Sequence, residues 1–127
     1  MTDATLLLRQ IHPSFVQDGY PTSQAFRPTP KDKSKLSVYN HDSIKPEASF
    51  VHYTSVWKLA SAGTMALTVV ECKGEELPVQ DDPLPDCPEH AVIDFTDITD
   101  NVCRKKSKKL QARAIARGWL YEAPSIG

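Results

Sequence analysis

The sequence predicts an α+β fold, a mixed α/β single domain with a small sheet of four or more strands and two main helices, the last one basic and amphipathic. Three observations carry that reading. Thr64 to Cys72 (TMALTVVEC) is nearly all apolar and rich in β-branched residues, as a central strand should be. Shorter apolar runs at Thr5 to Ile11, Leu36 to Asn40 and Ala91 to Phe95 are set off by prolines or turn residues. From Asp97 to Gly118, small and apolar residues recur at helical spacing between cations.

The elements follow in order. Thr5 to Ile11 ends at His12-Pro13, and a residue before proline is pushed toward extended backbone, so this is the first strand. Pro13 to Lys35 holds Pro13, Pro21, Pro28 and Pro30 with Gly19, which makes it a long loop with one short strand around Thr22 to Arg27. Leu36 to Asn40 alternates apolar and polar residues, and the segment to Ser43 supplies a turn. Pro46 to Ala60 reads as a helix, with Pro46 and Glu47 in its first turn and Gly63 as its stop. After the strand Thr64 to Cys72, the segment Lys73 to His90 carries four prolines and six acidic residues and reads as a surface loop. Ala91 to Phe95 is a buried strand, Asp97 or Thr99 caps the final helix, and Trp119 to Tyr121 closes an edge.

Size and composition bound the possibilities. At 127 residues the chain suits one domain, 1–127, which buries roughly two-thirds of its unfolded surface. A hydrophobic share of 40% and a charged share of 24% place it well away from disordered chains. The net charge of −1 gives no global attraction to nucleic acid or acidic membranes, so any electrostatic partner must be met by a local patch. Cys72, Cys87 and Cys103 are an odd, widely spaced set without a C-x-x-C pair, and no stretch suits a bilayer span or export signal. The expected setting is therefore cytoplasmic, with no membrane partner.

Two groups of residues are candidates for function. On the final helix, Lys105, Lys109, Arg113 and Arg117 form an i, i+4 ladder with Lys106 beside it, and Cys103, Ser107, Leu110, Ala114, Ile115 and Gly118 form the opposite arc. Such a stripe suits phosphate or an acidic partner, or else a solvated face paired with the acidic stretch Glu71 to Glu89. No aromatic residue alternates with these cations, as single-strand stacking would require. In the first half, Arg9, His12, Ser14, Thr22, Ser23, Gln24, Ser37, Tyr39, Glu47 and His52 bracket two strands, a loop and a helix start, the kind of place where a pocket is built. Cys87 and His90 have the spacing of half a zinc site, but no second pair accompanies them, so no metal is expected. No catalytic triad, phosphate-loop or zinc-protease spacing is present. The residues thus favour a cofactor-free binding or accessory module that engages a protein or nucleic-acid partner through the basic helix.

The stretches HPSF, TSQAFRPTPKD, LSVY, HAVIDF and ARGWLY resemble a family of short bacterial proteins, which implies a stand-alone bacterial chain and transfers no activity. A partial resemblance covers Arg9 to Glu47, where an arginine-bearing strand, a glycine-containing loop and LSVY before a glutamate-bearing helix are similar to the RES-domain branch of the ADP-ribosyltransferase superfamily. That resemblance implies an NAD-consuming enzyme with Arg9, Tyr39 and Glu47 around the dinucleotide. In place of that family's Gly-Arg-Trp-Asn run this chain has Gly19-Tyr20-Pro21-Thr22.

Overall fold

In the computed structural model, which describes residues 1–29 and 32–124, the expected α+β fold is built on a six-stranded antiparallel sheet. Its strands are β1 (Leu6–Ile11), β4 (Lys35–Asn40), β5 (Gly63–Thr68), β6 (Val79–Asp81), β7 (His90–Asp94) and β8 (Tyr121–Glu122), in the order β6-β7-β4-β1-β5-β8. A separate two-stranded ribbon pairs β2 (Val16–Gln17) with β3 (Tyr20–Pro21). The helices are α1 (Pro46–Val51), α2 (Val69–Gly74) and α3 (Asp100–Arg117).

Strand alternation sends side chains to two layers. Leu7 and Ile11 of β1, Leu36 and Val38 of β4, Met65 and Leu67 of β5 and Ile93 of β7 face α3, where Leu110 and Ala114 meet them, with Phe26 beneath. Each such side chain contributes about 1.5–3 kcal/mol through burial. The opposite face is a smaller cluster in which Leu8, Tyr39, Ala66 and Cys87 pack with Tyr53 and Trp57. Gln10, on that second face, ties three elements together. Its amide donates to Ser49 Oγ of α1 at 2.8 Å, and its oxygen accepts from Ser61 at 2.9 Å and Thr64 at 3.1 Å. A buried amide so satisfied orients α1 on the sheet at little cost.

α3 matches its expected extent. The Thr99 side chain accepts from Val102 N, Gly118 closes the helix with φ 88°, and Ser107, Leu110 and Ala114 are its buried face. Five expectations are corrected. Thr22 to Arg27 is not a strand: Ser23–Phe26 is a 3₁₀ turn, because consecutive Ala25 and Phe26 both enter the core, whereas a strand would turn one of them outward. The strand expected to run to Cys72 stops at Thr68. There Thr68 and Glu71 form a capping box, each side chain accepting from the other's backbone N–H, and α2 begins. The helix expected over Pro46 to Ala60 is α-helical only to Val51, widens into a π-turn over His52–Val56 and ends at Trp57. Gly63 does not stop it but opens β5, and β6 arises inside the expected loop. Pro30 and Lys31, in the loop expected from Pro13 to Lys35, lie outside the described residues. Among the described residues, no helix is long and apolar enough to cross a membrane.

Candidate functional site: a cleft in the split sheet

β1 pairs with β5 along its whole length but with β4 only at Leu7↔Asn40 and Leu8↔Tyr39. Beyond those pairs the two strands part, and Arg9 fills the opening. Its Nε donates to the Ala25 carbonyl and its Nη1 to the Ser37 carbonyl, both at 2.9 Å, so the guanidinium replaces the missing strand-to-strand bonds. Two of its five N–H donors are thereby used. The others find no acceptor among the described residues, and no carboxylate of those residues lies within ion-pair distance of it. Burial pushes its pKa down, although a guanidinium keeps its proton in a protein.

The opening is a cleft of about 410 Å³, within the usual range for small-ligand sites. Arg9 and Gln10 of β1 line it. Its apolar walls are Phe15 on one side and Tyr53, Trp57 and Leu59 on the other. The polar rim includes His12, Ser14, Thr29, Asp32 and Ser37. His12 Nδ1 accepts from Ser14 N at 3.0 Å and lies 2.7 Å from Ser14 Oγ. The Asp32 carboxylate accepts from both the backbone N–H and the hydroxyl of Thr29. Trp57 Nε1 donates to Asp86 at 2.7 Å, which holds the indole in place.

Some of the irregular backbone borders this cleft, while Asp18, Glu76 and Asp97 are left-handed elsewhere. The π-turn aims Tyr53 and Trp57 at it, and π-turns recur at functional sites. Lys58, between Trp57 and Leu59, has φ 57°, and Lys33 and Ser34, directly after Asp32, have φ 52° and 65°. Such left-handed residues each cost of order 1 kcal/mol or more and persist where the surroundings impose them.

The polar residues singled out in the first half are distributed by the fold into separate places. Arg9, His12, Ser14 and Ser37 come together on the cleft. Tyr39 and His52 meet on the second face of the sheet, the phenol 2.8 Å from His52 Nδ1, while His52 Nε2 lies 3.0 Å from the Asp86 carbonyl. Burial raises the Tyr39 pKa and keeps the phenol protonated. Glu47 is exposed in the first turn of α1, where its charge suits the helix dipole. Neither Tyr39 nor Glu47 lines the cleft that holds Arg9, so the fold does not assemble that trio. Tyr53, Trp57, Phe15 and Asp32 carried no signal as site residues, whereas Arg9 and Gln10 stand out as the polar pair in LLLRQI.

The basic ladder of α3 is partly consumed inside the molecule. Lys106 Nζ donates to the Glu75 carbonyl, Lys109 lies 3.5 Å from the Glu75 carboxylate, and Arg117 forms two bonds of 3.0 and 3.1 Å to Glu71. Arg117 also donates to the Ala66 carbonyl at 2.9 Å. These three side chains fasten α3 to α2 and β5, which leaves Lys105 and Arg113 of the ladder without an ion pair among the described residues.

The Cys87 and His90 pair is likewise occupied. His90 Nδ1 faces the Asp82 carbonyl and carboxylate at 2.9 and 3.0 Å, and its Nε2 lies 3.1 Å from Ser37 Oγ. Burial pushes the Cys87 thiol up to about 11, so it stays protonated at neutral pH. No protein-family model, curated protein or solved structure matches this chain.

Proposed function

We propose that the protein is a binding module whose main site is the Arg9 cleft, and that its ligand is a small anionic molecule carrying a planar ring. The observation that carries this reading is the Arg9 guanidinium, set in the gap of the sheet with unused N–H donors and no carboxylate partner among the described residues. Arg9 is partly buried, and Asp32 on the same cleft offsets part of its charge without pairing to it, so a bound carboxylate or phosphate can still take its unused N–H donors in charge-assisted hydrogen bonds. Phe15, Tyr53 and Trp57 supply the apolar walls for a ring, and Ser37, Thr29 and His12 supply hydrogen bonds at the rim. Partner binding through the α3 ladder has less support, since Lys106, Lys109 and Arg117 already have partners within the chain.

The test is a thermal-shift and calorimetric screen of mononucleotides, NAD and aromatic carboxylates. Saturable binding should appear for a subset and weaken at least tenfold in Arg9→Gln, the usual scale for removing a charge-assisted contact. Arg9→Lys should recover part of the affinity if charge matters, and the melting temperature of each variant separates lost binding from lost fold. If no anionic ring compound binds, the reading fails. Nicotinamide release from NAD that is abolished by Glu47→Gln would replace simple binding with catalysis.

A further inference from the structure

We propose a second site: a groove between α3 and the segment Tyr20 to Thr29 that binds single-stranded nucleic acid. The helix face concerned is not the ladder but its neighbour, where Asp100, Cys103, Arg104, Lys108 and Gln111 recur at helical spacing. Facing it, the Ser23–Phe26 turn leads into Arg27. Two adjoining hollows of about 640 and 450 Å³ share Ser23 and Lys108 and form one track along the helix. Arg27, Arg104 and Lys108 line it, and none has a carboxylate within ion-pair distance among the described residues. Asp100, the carboxylate on this track, sits in the first turn of α3, where the helix dipole favours it.

One further observation points to a nucleic-acid strand rather than to an acidic peptide. The helix carries no aromatic residue among its cations, but the fold brings them from elsewhere: Phe15 lines one hollow, and Tyr20, 54% exposed, lines the other. Phe15 is partly buried against the core, so Tyr20 is the exposed ring beside these cations, and such a pairing suits a phosphate with an unpaired base, since every base offers a face for stacking. Thr22, which lines the same track, has a buried Oγ1 with no hydrogen-bond partner among the described residues. Gln111 lies beside it, its amide donating to the Pro21 carbonyl at 2.9 Å. The phosphate contacts hold the strand and carry no sequence information, so binding is expected to be tolerant of base identity.

Fluorescence anisotropy of a labelled twelve-base single strand, titrated across a salt series, tests the site. The intact protein should bind saturably, and replacing Arg27, Arg104 and Lys108 together by glutamine should weaken binding at least tenfold. The same replacement should reduce the magnitude of the log–log salt slope by about 2, given about 0.7 per phosphate contact for single strands. Tyr20→Ala should weaken binding about tenfold with the salt slope unchanged, because stacking releases no counterions. Lys105→Gln with Arg113→Gln, off the track, should stay within about twofold, and strand binding that is lost in Arg9→Gln but kept in the triple variant would place the strand in the cleft and overturn this site. Equal losses in the off-track variant would overturn the assignment, as would an unmoved triple variant of native circular dichroism. Competition by polyglutamate as effective as by unlabelled strand would identify an acidic protein partner instead.

Discussion

Glu71 shows how much one side chain can organise. Its carboxylate accepts from Thr68 N to start α2 and from both terminal nitrogens of Arg117 to bind α3. Burial raises its pKa, but the bonds from Arg117 and Thr68 outweigh that and hold it below the ordinary 4.5. A carboxyl whose folded value is depressed adds stability that is fully present above its unfolded value and is lost as pH falls through the folded one. The stability of the wild type against chemical denaturant should therefore fall as pH drops below about 4.5, and Glu71→Gln should be less stable at pH 7 by about 1 kcal/mol with a shallower acid limb. A variant with the same pH profile as the wild type would remove Glu71 from this role. The T-x-x-E signal at Thr68 is present in the sequence, yet it lies within a β-branched run, and local strand propensity obscures it.

At the scale of elements, the sequence is most informative where one physical demand dominates. α3 needs its Thr99 cap, its Ser107–Leu110–Ala114 face and Gly118, and all are visible as spacing. The helix after Pro46 is harder to read, because helical periodicity does not distinguish an α-turn from the π-turn that reorients Tyr53 and Trp57. Gly63 is legible as a special position, but its duty is tertiary. It opens β5 with φ 153°, and a Cβ there would run into the Tyr121 carbonyl of β8. Gly63→Ala should cost more than about 1 kcal/mol and should loosen β8 first, which hydrogen exchange at Tyr121 and Glu122 would show as earlier loss of protection. Unchanged protection there would mean that the strand end tolerates the added methyl group.

For the molecule as a whole, the strands and the apolar core were readable because each strand is a local pattern, whereas the site was not, because it exists only where β1 and β4 part. Arg9, His12, Ser14 and Ser37 could be named as polar residues of the first half, but Tyr39 and Glu47 belong to the same list and go elsewhere. Strand divergence, which decides between them, has no signature in residue spacing. The same holds for the groove on α3, whose aromatic residues come from a distant segment.

The cleft as a binding site for an anionic ring compound can be read directly through Trp57, which lines it, in a Trp119→Phe background that leaves one indole. Titration with the best anionic ring compound from the screen should change Trp57 emission saturably, and Arg9→Gln should shift the midpoint at least tenfold upward while the melting temperature stays high enough to keep the protein folded. Emission that does not respond, or a midpoint indifferent to Arg9, would contradict the account.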